Sequence, residues 1–282
     1  MTIPLGVLPQ YLLPKLALTR LAGFVASAAL GPLTTWTIQR FVARYQVNMA
    51  EALDENPSSY KTFNAFFTRP LKPSARTLAS STWVCPVDGA ISQCGSIDKD
   101  QIFQAKGHCY STRALVGGDA ALAAPFQDGQ FATLYLSPRD YHRIHMPIAG
   151  KLKRMIHVPG DLFSVNPSTA RGVPGLFARN ERVVCEFETV QGPMVMVLVG
   201  ATIVGSMATV WHGQVNPPRP GKVREWRYDS QDIQFTKGQE MGRFLLGSTV
   251  VMLMPQNSIQ FTADWKPTQA VQMGEMMGHL PS

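Results

Sequence analysis

From about Trp83 onward, short segments rich in Val, Ile, Phe, Thr and Tyr alternate with Gly/Pro turns. No other feature constrains the fold as tightly, because such segments suit strands and are too brief for ordinary helices. The clearest are Phe131–Ser137 (FATLYLS), Lys151–Val158 (KLKRMIHV), Val183–Thr189 (VVCEFET) and Met194–Gly200 (MVMVLVG). The last two flank Val190-Gln191-Gly192-Pro193, a hairpin-length connection with a glycine. The pattern predicts a mainly antiparallel, barrel-like or sandwich β core over residues 77–282. The last twenty or so residues read as edge strands and a polar tail.

The N-terminal part has a different texture. Pro14 and Pro32 are placed to open two helices. After Pro32, Ile38, Phe41, Val42 and Tyr45 follow helical spacing, with Arg40 and Arg44 off that stripe. A third short helix carries Tyr60, Phe63, Phe66 and Phe67, with Ser58 or Ser59 as N-cap, and ends near Pro70. The expected class is therefore α+β, with amphipathic helices over residues 1–76 preceding the β core. The uncharged run Leu21–Gln39 has spanning length, but Gly31-Pro32 interrupts it, and a spanning helix is not expected. No secretory signal is expected either, since Lys15 and Arg20 fall inside the apolar stretch.

Charge narrows the partners. The chain has 282 residues and a net charge of +7, with only 16% charged residues. Residues 1–76 hold eight Lys/Arg against three acids, so most of the excess lies there. A basic, apolar N-terminus suits an anionic membrane surface. No nucleic-acid partner is expected, because no zinc finger, RNA-recognition signature or basic run is present. Cys85, Cys94, Cys109 and Cys185 show no C-x-x-C spacing and read as reduced thiols in a cytosolic setting.

Three places carry chemistry. Asp88 lies in a Pro-Val-Asp-Gly turn leading into a strand. The stretch YLSPRDYHRIHMP (Tyr135–Pro147) packs Arg139, Asp140, His142, Arg143 and His145 between two prolines. The run GRFLLGSTVVMLMP (Gly242–Pro255) reads as one buried strand with Gly247-Ser248-Thr249 in its middle. Each has a bland reading: a turn aspartate, a solvated loop, a bulge. Asp, His and Ser in this order invite charge-relay logic, and a serine hydrolase using Asp88, His145 and Ser248 is one alternative. The nucleophile elbow G-x-S-x-G is absent, however, and a serine within a strand is badly placed for an external substrate. Attack on its own backbone fits better. The Ser248 hydroxyl would add to the Gly247 carbonyl, with His145 as base, held in the right tautomer by Asp88. The resulting ester would leave by β-elimination, and the dehydroalanine left behind would hydrolyse to a pyruvoyl group.

The chain carries the motifs LGST, YHRIHMP, PVDGAISQ, SYKTFNAFFTRPLKP, VPGDLFSVN, LFARNERVV, LVGATIVGS and KGQEMGRF. The sequence resembles bacterial phosphatidylserine decarboxylases, pyruvoyl-dependent proenzymes, from about Pro9 to the last strands. The resemblance implies self-cleavage between Gly247 and Ser248 into a large N-terminal and a small C-terminal subunit. It implies Asp88, His145 and Ser248 as the self-processing triad, and His142 as the group serving decarboxylation. The covalent pyruvoyl group from Ser248 would be the only cofactor, with no metal. It would form a Schiff base with the serine headgroup of phosphatidylserine, and phosphatidylethanolamine would be released after loss of carbon dioxide. A heterodimer of the cleaved subunits, further dimerised, is implied as the assembly.

Substrate physics supports a membrane setting. Drawing a two-chain phospholipid into water costs on the order of 20 kcal/mol at about 0.8 kcal/mol per CH₂. Residues 1–76 are expected to dock peripherally on the cytoplasmic face of the cell membrane. A non-enzymatic, membrane-binding β-domain is the remaining alternative.

Overall fold

The computed structural model of the chain describes residues 9–203, 206–219 and 221–281. At its centre the strand Ser248–Met254 lies between Gly192–Val199 and Gln130–Leu136, antiparallel to both. The sheet extends on one side through Arg182–Thr189 and Gly150–Val158 to Arg224–Arg227. On the other side it extends through Gly89–Ser96 to Ala270–Val271. Its two outermost strands do not pair with each other, so the sheet stays open. The class is α+β as expected, but among the described residues no barrel closes.

Alternation explains the long apolar runs. Val250, Met252 and Met254 join one core with Leu134, Leu136, Met196 and Leu198. Val251 and Leu253 join a second core with Phe131, Val195, Val197, Phe163 and Phe177. Successive side chains point to opposite faces, and both faces are covered, so every position can be apolar.

The run Gly242–Pro255 is not one strand. Glu240–Phe244 belongs to a separate four-stranded sheet with Arg143–His145 and Met207–Thr209. Ser248 opens the next strand in the large sheet. Leu245-Leu246-Gly247 is thus a crossover between sheets, which periodicity cannot reveal because apolar residues continue through it. The C-terminal segment also differs from expectation. Met276–His279 is the middle strand of a three-stranded sheet, between Trp83–Val84 and Gln260–Phe261. Met277 is fully buried there, and its packing holds the segment inward.

After a short helix, Pro9–Leu12, two long helices run Lys15–Ser27 and Pro32–Tyr45 and bend 114° at the break between them. Gly31 takes a positive φ of 58° and Pro32 opens the second helix, which accounts for the turn. No single helix among the described residues is long and apolar enough to cross a membrane. The short aromatic helix, Phe63–Phe67, is capped by Thr62, whose Oγ1 accepts from the Ala65 N–H at 3.1 Å. Ser58 and Ser59, the expected caps, lie in a preceding 3₁₀ turn that Asn56 caps instead.

The two long helices bury different faces. Ile38 joins Val47, Tyr60, Phe66 and Phe67 in a small separate core. Helix 15–27 buries only Thr19 and Ala26, and leaves Leu21 62% and Phe24 76% exposed. Leu246, next to the Gly-Ser pair, packs against the helical core. The helical region therefore grips the crossover directly.

Candidate active site

Strand pairing gathers the chemistry at one end of the large sheet. Ser248 lies opposite Leu136, and Tyr135 is paired with both Thr249 and Ala90. Asp88, which precedes the 89–96 strand, and the 137–142 loop, which follows the 130–136 strand, both leave the sheet at this end. Gly89 is required here, because a Cβ on it would sit 2.3 Å from the Tyr135 carbonyl oxygen. Gly89→Ala should push these strands apart and lower stability by about 2 kcal/mol, read as a fall in Tm.

The 137–142 loop is tied to itself. The Asp140 carboxylate accepts from the Ser137 N–H at 2.6 Å, and the Asp140 N–H donates to the Ser137 carbonyl at 2.9 Å. The Asp140 carbonyl accepts from His142 Nδ1 at 2.8 Å, so the proton of the neutral ring sits on Nδ1. His142 is fully buried against the Phe67 ring, with centroids 4.0 Å apart. Burial pushes its pKa down to about 3, against the opposing pull of the Asp140 carbonyl. Among the described residues its Nε2 has no hydrogen-bond partner, and it lies 3.9 Å from where a Cβ on Gly247 would stand. A lone pair therefore sits unused beside the Gly247–Ser248 bond. Buried polar atoms without partners are uncommon and point to a role. Thr249 Oγ1, one residue beyond, is also buried and unpartnered.

Backbone strain coincides with the same bond. Leu246 has a φ of +122°, a region that side-chain-bearing residues rarely enter. Its packing in the helical core holds it there.

The structure brings Asp88 and His145 to this end of the sheet but does not join them. His145 Nδ1 donates to the Gly238 carbonyl at 2.7 Å, and the Tyr141 hydroxyl lies 3.0 Å from Nε2. Burial lowers the His145 pKa, with the Gly238 carbonyl and Glu240 opposing. Asp88 instead takes Arg76 on both carboxylate oxygens and accepts the Met273 N–H at 2.9 Å. Arg76 also reaches Glu51 at 2.7 Å. The expectation that Asp88 fixes the tautomer of His145 is thus replaced. Gly238 fixes it, because a carbonyl can only accept and so requires the proton on Nδ1.

A cavity of about 270 Å³ ends at Gly247. Tyr135, Ser164, Asn166 and Thr202 give it polar edges, and Phe41, Ile203 and Leu246 its apolar side. The last three also line a larger apolar groove of about 500 Å³ between the two long helices, with Val25, Leu30 and Phe63.

The family profile described as Phosphatidylserine decarboxylase matches residues 63–279, and a second, described as PSD, matches residues 5–46. The phosphatidylserine decarboxylase proenzyme of Dechloromonas aromatica is 70% identical over 274 residues, 97% of each chain. That of Methylibium petroleiphilum is 69% identical over 277 residues, 98% of each chain. That of Variovorax paradoxus is 69% identical over 275 residues, 98% of this chain and 97% of its own. The chain belongs to the phosphatidylserine decarboxylase family.

Within this phosphatidylserine decarboxylase family member, the site contains residues that sequence reasoning did not single out. Phe67 walls His142, Arg76 holds Asp88, Tyr141 occupies His145, and Leu246 carries the strain. Tyr141, Phe67 and Leu246 stand inside the motifs YHRIHMP, SYKTFNAFFTRPLKP and LGST, which was the available signal. The cofactor expected for the family, a pyruvoyl group, would derive from Ser248 itself. A strained Leu246, a glycine carbonyl before the serine and an unpartnered imidazole nitrogen beside them fit its formation and its use.

Proposed function

We propose that the chain is the precursor of a decarboxylase that converts phosphatidylserine to phosphatidylethanolamine after cutting itself between Gly247 and Ser248. The observation that carries this reading is the apolar groove between the long helices, continuous with a cavity that ends at Gly247 beside the free Nε2 of His142. An acyl chain fits the groove, and a headgroup fits the smaller cavity with its polar edges.

Self-cleavage uses the chain's own groups. Strain at Leu246 and the absence of a side chain on Gly247 favour attack by the Ser248 hydroxyl on the Gly247 carbonyl. The C–N bond breaks and a C–O ester bond forms, with the serine proton passing to the new amine. Loss of the Ser248 α-proton expels the Gly247 carboxylate, and water then replaces ammonia. A ketone at Ser248 would supply an electron sink for the decarboxylation of an amine-bearing substrate. The cut pieces stay together, because strands 130–136 and 192–199 of the large fragment flank the 248–254 strand.

His142 is neutral before substrate arrives and can only accept at Nε2. An anionic headgroup in the cavity at Gly247 would stabilise the protonated ring nearby, which then has a proton to return to the substrate carbon.

The membrane reading rests on helix 15–27. Its exposed Leu21 and Phe24, with Arg20 on the same helix and Arg40 on the next, suit peripheral docking on an anionic leaflet, and the cytoplasmic face is our proposal. Burying Leu21 and Phe24 contributes about 1.5–3 kcal/mol each. The pair Leu21→Asp with Phe24→Asp should therefore weaken flotation with phosphatidylserine vesicles at least ~100-fold. Unchanged flotation would remove the docking role and leave the chemistry standing.

Intact mass of the purified protein tests the central reading. Two fragments are expected, the smaller beginning with a ketone-capped residue, together with carbon dioxide release from phosphatidylserine. A serine hydrolase would show one unbroken chain, labelled by a fluorophosphonate.

A further inference from the structure

Neutral His145 has one lone pair, on Nε2, because Nδ1 must carry a proton to bond the Gly238 carbonyl at 2.7 Å. That lone pair is taken. The Tyr141 oxygen lies 3.0 Å away, and an acceptor nitrogen requires the phenol to donate. Tyr141 is itself buried, 5% exposed, as is His145 at 8%. Asp88, the partner expected for His145, is committed to Arg76 and the Met273 N–H. Among the described residues, Tyr141 is the group placed to pass a proton to His145 Nε2.

We propose that Tyr141 relays protons between the Ser248 hydroxyl and His145 during self-cleavage. This rests on the reading of the chain as a self-cutting precursor with His145 as base. The serine proton passes to the Tyr141 oxygen while the phenol proton passes to His145 Nε2, and Ser248 Oγ bonds to the Gly247 carbonyl carbon. As the Gly247–Ser248 C–N bond breaks, the proton returns by the same two transfers to the departing amine. No proton, electron or co-reactant is gained or lost. A phenol suits this duty because it donates and accepts at one atom. The adjoining His142 lacks such a partner, and its Nε2 stays free for the later reaction. The two histidines of YHRIHMP are thereby separated in function by what each nitrogen touches.

The pH dependence separates a relay from a packing role. The groups that bear electrostatically on Tyr141 and His145 are Asp88, Arg143, Glu240 and Arg243. Arg143 and Glu240 are bonded to each other at 2.8 Å, and Arg243 bonds Glu240 at 2.7 Å. None of these is removed by changing Tyr141. A donor on Nε2 bonds only the neutral imidazole and so opposes protonation of His145, whose pKa burial already lowers. Removing the hydroxyl should raise that pKa and move the acid limb of the cleavage rate to higher pH.

The experiment follows precursor, freshly made by cell-free synthesis, after a jump to a series of pH values, with fragments resolved on a denaturing gel. Tyr141→Phe is expected to slow cutting at least ~10-fold, at the low end of acid–base contributions, and to shift the acid limb upward. A 3,5-difluorotyrosine at position 141 keeps the shape and strengthens the donor, and should shift that limb downward. If Tyr141→Phe fails to fold, the fluorinated protein decides alone: a moved limb supports the relay and an unmoved one overturns it. Normal wild-type cutting with an unchanged Tyr141→Phe rate and profile overturns the relay only. Wild type that never cuts overturns the parent reading, and the relay with it.

Discussion

Replacing Ser248 by alanine is expected to leave one unbroken chain of 31.0 kDa with no decarboxylase activity. The change removes one oxygen at the first residue of the 248–254 strand, whose backbone pairs on both sides with neighbouring strands. The fold should persist, so the loss reports chemistry. Without the hydroxyl there is no intramolecular attack on the Gly247 carbonyl, and ordinary peptide hydrolysis is too slow to replace it. Activity should fall to background, a loss of about 10⁶-fold or more on the usual scale of enzymatic acceleration. Intact mass spectrometry and release of carbon dioxide from phosphatidylserine check both halves. Ser248→Thr supplies the matching control, because it keeps a hydroxyl at the same place. It should cut, slowly, since the β-branched side chain has fewer rotamers available for attack. Efficient cutting of Ser248→Ala at this bond would mean that the serine oxygen is not the nucleophile.

The β texture after Trp83 was legible because alternating burial on two cores writes itself into short apolar segments. The helices that start near Pro14 and Pro32 were legible for the same kind of reason: proline punctuates the chain, and Ile38 recurs with its neighbours at helical spacing. What did not show was the change of sheet at Leu245–Gly247. Leu246 is apolar whether it continues a strand or plugs a helical core, so composition is blind to its φ of +122°. Individual site residues were legible as types, but their pairings were not. Asp88 and His145 look like partners in a linear reading. Arg76, 12 residues from Asp88, and Gly238, 93 residues from His145, claim them first. A backbone carbonyl has no sequence signature at all, and two such carbonyls, of Asp140 and Gly238, decide the tautomers of both histidines.

That division of labour yields the second large effect. A His142→Ala chain is expected to cut itself at close to the wild-type rate, yet to decarboxylate phosphatidylserine about 10²–10⁴-fold more slowly, the usual range for loss of a positioned acid or base. The ring makes one hydrogen bond, through Nδ1 to the Asp140 carbonyl, and is otherwise held by Phe67 and burial. Its removal leaves the His145–Gly238 and His145–Tyr141 contacts in place. The acid stability of the protein should move with it. Wild-type His142 has a pKa near 3 when folded against an ordinary value of 6.5, so the unfolded chain binds the extra proton between those limits. Its neutral form therefore favours the fold above pH 6.5, and this contribution is lost progressively as pH falls toward 3. His142→Ala has no such proton to bind, and its stability should decline less steeply across the same interval, as urea unfolding at pH 4 and pH 7 would show. Gel analysis separates cutting from turnover in the same preparation. An uncut His142→Ala chain would assign the free Nε2 to the self-cleavage step, and the separation of the two histidines would fail.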